Sequence, residues 1–123
     1  MTAPNLIGAT TITGKTTGTS LTTTSTTTVL NNPSDSGKCL KVNTLNVANY
    51  GATATNVTVS WYNTASIGGA AFAIISNAAV PAGATLNVID KTSQYYLEEN
   101  NSLGAAAATG NSLIVTCSYE DIS

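Results

Sequence analysis

From Val57 to Tyr62 the side chains alternate strictly, with Val57, Val59 and Trp61 on one parity and Thr58, Ser60 and Tyr62 on the other. A period of two predicts a strand with one face in a core, because an amphipathic helix would repeat every 3.6 residues. The preceding run, 39–49 (CLKVNTLNVAN), is denser, with Leu40 and Val42 on one parity and Leu45 and Val47 on the other. A parity switch inside one run predicts either a β-bulge near Asn43–Thr44 or a strand covered on both faces. Only a short Gly/Ala/Thr/Asn connection separates the two runs, so they are expected to pair as a hairpin. Trp61, the only tryptophan, is expected at the centre of the core, with the rest of the chain supplying strands to cover the hairpin.

The other segments point the same way. Residues 5–13 (NLIGATTIT) predict a first strand, ended by a turn at Gly14–Gly18 where two glycines relieve backbone strain. Residues 19–30 (TSLTTTSTTTVL) are rich in β-branched threonine, which favours extended backbone. They predict an edge strand or long hairpin anchored by Leu21, Val29 and Leu30, with the threonines facing solvent or a neighbour. Pro33 and Gly37 mark a loop over 31–37. A strand follows at 71–77, with Phe72 and Ile74 on one face and Ile75 on the other. Pro81 and Gly83 mark a turn, and residues 84–90 place Leu86 and Val88 inward and Asn87 outward. Tyr95–Leu97 form a short strand, and residues 98–101 a polar turn. The alanine-rich run at 103–109 is too short to stand as a helix among strands, so it is expected to be extended. In the last strand Leu113, Val115, Cys117 and Tyr119 alternate with Ile114, Thr116 and Ser118, and the acidic end, 120–123, is expected at the surface. About eight short strands without 3.6-residue periodicity predict an all-β fold. It is a single domain over residues 1–123, an antiparallel β-sandwich of jelly-roll or immunoglobulin-like shape.

Charge narrows the function. Charged residues make up 8% of the chain, against roughly 25% in a typical soluble domain. Such a neutral, hydroxyl-rich surface suits packing into an assembly. There are four lysines and no arginine; without arginine the usual bidentate grip on phosphate and guanine is missing, so no nucleic-acid partner is expected. No histidine is present, so Ser–His and Cys–His nucleophile pairs and imidazole metal sites cannot be built. Glu98 and Glu99 are adjacent and point to opposite faces of an extended chain, which is wrong for a facing carboxylate pair. Calcium at Glu98, Glu99, Asn100 and Asn101 lacks the alternating Asp/Asn pattern of a loop site. No catalytic, cofactor-binding or metal residue is therefore assigned, and the chain is not expected to be an enzyme.

Cys39 and Cys117 form no CxxC pair, and both are expected to be reduced and buried, with a disulfide between two core strands as the alternative. Trp61 follows Cys39 by too many residues for the immunoglobulin pattern, and Tyr119 follows Cys117 where a tyrosine corner would precede it. The first residues lack a basic region and a continuous apolar run, so no secretory signal is expected. No apolar stretch approaches the ~20 residues of a membrane helix. A product made in the cytoplasm, with no membrane partner, is the expectation.

Four phrases occur together: NLIGATTITGKT (5–16), NNPSDSGKCLKVNTLNVANYGATATNVTVSWYN (31–63), VIDKTSQYYLEENNSL (88–103) and CSYEDIS (117–123). In this combination the chain resembles small virion structural proteins of tailed bacteriophages, particularly those of marine cyanobacteria. Asp121 stands where that family's ending has a second glutamate. The resemblance implies a non-enzymatic virion component assembled in many copies in the host cytoplasm. Its partners would be the major capsid protein or other virion proteins, and a capsid decoration (cement) protein on the capsid surface is the leading expectation. Neck, tail or fibre placement is the alternative within that class. A carbohydrate-binding or adhesive module using Tyr50, Tyr62, Tyr95 and Tyr96 is the alternative outside it.

Between Thr16 and Asn32 there is no charge and no proline, the two residue types that usually guard an exposed strand edge. Thr22, Thr23, Thr26 and Thr27, with Tyr95 and Tyr96, are accordingly the expected interface residues of a homo-oligomer or lattice contact.

Overall fold

A computed structural model describes residues 8–90 and 92–123. Among the described residues nine strands form: β1 (Ile12–Leu21), β2 (Thr27–Asn32), β3 (Cys39–Asn49), β4 (Thr55–Thr64), β5 (Gly68–Val80), β6 (Thr85–Ile89), β7 (Tyr95–Leu97), β8 (Asn101–Ala107) and β9 (Leu113–Ile122). All pairings are antiparallel. One sheet runs β1-β9-β3-β6, with β7 also on β3, and the other runs β2-β8-β4-β5. β6 lies opposite Leu45–Ala48 and β7 opposite Leu40–Val42, so they share one side of β3 end to end. With β7 set aside, the first strand pairs the last, the second the next to last, the third the sixth and the fourth the fifth. That nested order is a jelly roll, and it decides between the two sandwich shapes expected from the sequence.

The two runs over 39–63 do form strands, but they do not pair. β3 belongs to one sheet and β4 to the other, so the connection is an arch across the sandwich instead of a hairpin turn. Asn49 is the physical reason. It is 2% exposed, and its Nδ2 donates to the carbonyls of Thr53 and Val80 while its Oδ1 accepts from the Gly51 N–H. One side chain thus satisfies the backbone where the chain changes sheets. Asn32 plays the same part between β2 and β3: its Nδ2 donates to the carbonyls of Lys38 and Leu97, and its Oδ1 accepts from Ser36 Oγ at 2.5 Å.

The parity switch in β3 is a bulge. Against β9 the register is unbroken except between Val42 and Thr44. The extra residue, Asn43, brings Leu40, Val42, Leu45 and Val47 onto one face, where all four are buried. They meet Leu113, Val115 and Cys117 of β9, and Val57, Val59, Leu103 and Ala105 of the facing sheet. Burying each such aliphatic side chain is worth about 1.5–3 kcal/mol, so this layer dominates the stability.

Trp61 does not occupy the centre. It is half-buried at the flank of the core, between Leu103 on β8 and Phe72 on β5. Since β5 is the sheet edge, only the Phe72 ring covers that side, with centroids 5.3 Å apart. Three local expectations also change. Gly14 and Gly18 lie inside β1, paired to Glu120 and Thr116; the long ladder with β9 outweighs the glycines' preference for a turn. The threonine-rich run is not one strand: β1 ends at Leu21 and β2 starts at Thr27 in the other sheet. Leu21, Val29 and Leu30 are nonetheless the buried anchors. The acidic end is the end of β9, with Asp121 and Ile122 buried, because β9 is sandwiched between β1 and β3. Of the first strand expected over residues 5–13, residues 5–7 fall outside the described residues, and the strand that follows starts at Ile12.

Candidate interaction surfaces

The expected interface residues do not come together. Thr22, Thr23 and Thr26 are exposed on the β1–β2 connection and Thr27 is half-buried at the start of β2. This connection lies at the Leu113 end of β9, where Gly110 passes so close that a Cβ on it would meet the Thr22 carbonyl at 2.6 Å. Tyr95 and Tyr96 lie on β7, opposite Val42 and Lys41 and so near the Tyr119 end of β9. The two groups are some six residues apart along the β9 ladder, about 20 Å at the antiparallel rise, with the threonines beyond the β1 edge and the tyrosines on the opposite edge of that sheet. Tyr50 sits at the β3–β4 arch, and Tyr62 packs on the outer face near Gly104. The tyrosines therefore make no shared stacking platform.

A longer uncharged apolar run lies on another sheet edge, while the most exposed large apolar side chain, Ile12 at 62%, sits at the start of edge strand β1. β5 is the edge of the four-stranded sheet, and among the described residues no strand pairs with its outer side. Its thirteen residues, GGAAFAIISNAAV, include no charge and no proline, and Ala70, Ala71, Phe72 and Ala73 are exposed. Phe72 is 52% exposed. β5 is irregular against β4 near Ala70, near Ile74 and near Asn77, which leaves two regular windows, Ala71–Ala73 and Ala78–Val80. The sequence sets Phe72 and Ile74 on one face of a strand and Ile75 on the other, and the signal for this edge is the uncharged, proline-free run over 68–80, of the same kind as that between Thr16 and Asn32.

No protein-family model matches the chain, and no curated protein matches it.

The polar chemistry is structural. Asp121 is buried at the end of β9 and is reached by Lys15 Nζ at 3.1 Å and Lys38 Nζ at 3.2 Å. Burial pushes its carboxyl up, but the two ammonium groups outweigh that and hold it below the ordinary carboxylate range. Around the β7–β8 turn, Glu99 Oε2 accepts from the Gly37 N–H and Asn101 Oδ1 from the Glu98 N–H. Among the described residues no group of three or more His, Cys, Asp or Glu side chains is placed to hold a metal ion.

Both cysteines are free and buried. Cys39 is level with Ile122 and Cys117 with Leu45, about 17 Å apart along the ladder, far beyond the Cα separation a disulfide bridges. Burial pushes the Cys117 thiol up to about 12 and, with the charge of Glu98, raises that of Cys39.

Proposed function

We propose that the chain is a non-enzymatic structural protein of a phage virion, and within that class a capsid decoration protein seated on the capsid surface. The observation that carries the reading is β5: a long uncharged edge with an exposed phenylalanine, on a sandwich with very few charged side chains. Such an edge is a liability for a freely diffusing monomer and an asset for a subunit that spends its life against other subunits. Many weak contacts of this kind add up by avidity on a lattice. The phrases shared with small cyanophage virion proteins point the same way. The jelly roll alone does not discriminate, since it serves capsid and lectin domains alike. The dispersed tyrosines leave the carbohydrate-binding alternative without a platform.

The test is fractionation. Phage particles from cells in which this gene is expressed are purified, osmotically shocked and separated into emptied heads and tails. The chain is expected to remain with the heads in stoichiometric proportion to the major capsid protein. Recovery with tails would move it to the neck, tail or fibre, and absence from purified particles would overturn the virion reading.

A further inference from the structure

We infer that β5 pairs with β5 of a second copy, antiparallel across a two-fold axis at Phe72, joining the two four-stranded sheets into one. The sequence around Phe72 is close to a palindrome: Ala71 and Ala73 flank it, with Ala70 and Ile74 beyond. An antiparallel pair about Phe72 sets Ala71 against Ala73 of the mate and Phe72 against its own copy. Small residues oppose small ones, and two aromatic rings meet, a favourable cross-strand combination. The two-fold axis repeats each contact, i against j and j against i, so a charge on this edge would need an opposite charge at the paired position. β5 has none over its whole length. Of the two regular windows of β5, Ala71–Ala73 and Ala78–Val80, the first is centred on Phe72 and carries the exposed ring, and the irregularities that bound it disfavour a shifted register. The edges at β1 and β2 fit less well. The Lys15 side chain of β1 is committed to Asp121. β2 is short, and its Asn31 Oδ1 accepts from the Ser66 N–H. The partner is thus a second copy of this chain, and the pairing does not rest on the virion reading.

The purified full chain is examined by sedimentation equilibrium over a wide concentration range, with circular dichroism to check folding. Wild type is expected to show a reversible monomer–dimer equilibrium. The double variant Ala71→Lys with Ala73→Lys places like charges in opposition at both cross-strand pairs and is expected to weaken dimerisation at least about tenfold. Ala71→Lys with Ala73→Glu sets each introduced ammonium against the mate's introduced carboxylate and is expected to retain the dimer. A wild type that stays monomeric at all concentrations overturns the inference. So does a dimer that tolerates the double lysine variant, and so does equal loss in both double variants, which would exclude this register. Should a charged variant not fold, Phe72→Cys decides. Both native thiols are buried, so the introduced one is the accessible thiol, and opposed strand positions lie within disulfide reach. Mild oxidation is expected to give a cross-linked dimer from Phe72→Cys and none from Thr23→Cys; the reverse pattern would place the contact at the threonine connection.

Discussion

At the scale of single residues, position in the sandwich decides cost more than side-chain size does. Leu103 is fully buried between the sheets, while the larger Trp61 is half-buried beside Phe72. Leu103→Ala is expected to cost about 2–5 kcal/mol, and Trp61→Ala about half of the 3–5 kcal/mol lost when a fully buried aromatic is truncated. Urea denaturation of the two variants checks this ranking; a larger loss for Trp61→Ala would put the indole deeper than its neighbours allow. Asp121 governs acid stability. Its carboxyl is held below its ordinary value in the fold, so its charged form stabilises the protein above the unfolded value of about 3.9, and that contribution disappears as pH falls through the folded value. Both lysines are about half exposed and solvent screens them. Asp121→Asn is therefore expected to cost only about 1 kcal/mol at neutral pH and to flatten the decline in stability below about pH 4. Unfolding curves at neutral and acid pH, compared with wild type, measure both; an unchanged acid limb would assign it to other carboxylates.

At the scale of elements, the β4–β5 hairpin shows how one turn is fastened. Ser66 and Ile67 have φ of 58° and 52°, an unfavourable region, above all for a β-branched side chain. Tertiary hydrogen bonds hold them there: the Ala65 N–H donates to Asn100 Oδ1, the Ser66 N–H to Asn31 Oδ1 and the Ile67 N–H to Ser102 Oγ, while Ser102 Oγ donates to the Thr64 carbonyl. The turn thereby folds over the outer face of β8, where Gly104 leaves room for Ile67. A Cβ at position 104 would lie 2.8 Å from Ile67 Cγ2 and 3.0 Å from both Thr26 Cγ2 and Tyr62 Cε1. Gly104→Ala is expected to cost about 1–3 kcal/mol through overpacking, and less when made together with Ile67→Ala. A double-mutant cycle measures that coupling; strict additivity would mean that Ile67 is not the obstacle.

At the scale of the whole molecule, stability depends on pairing the two ends of the chain. β9 lies between β1 and β3, and β8 between β2 and β4, so the last strands to be made fill the middle of both sheets. Removal of residues 119–123 takes away the part of β9 that faces Ile12–Lys15 and Cys39–Val42. The shortened chain is expected to lose cooperative unfolding, since both flanking strands lose their partner. Thermal unfolding followed by circular dichroism tests this; an undiminished cooperative transition would show that the end of β9 is dispensable. Pairings this distant in sequence also predict slow folding, on the millisecond-to-second scale.

What the sequence determined by itself was every property with a period of two. Strand identity at Val57–Tyr62, Tyr95–Leu97 and Leu113–Tyr119, the inward rows of valine and leucine, and the bulge at Asn43 as one of two alternatives all follow from alternation, a local property of extended backbone. The sheet each strand joins is not local. Residues 39–63 look like a hairpin because adjacent strands usually pair, and only the strand order shows that the chain changes sheets there, with buried Asn49 bonded to the Thr53 carbonyl in the arch and the Val80 carbonyl at the end of β5. Gly14 and Gly18 look like a turn until β9, a hundred residues later, supplies their ladder. The exposed edge escaped for the same reason. An uncharged run is equally visible in the threonines and in β5, but which of them lies unpaired at a sheet boundary depends on strand order, and strand order is fixed by long-range packing of side chains against the opposite sheet.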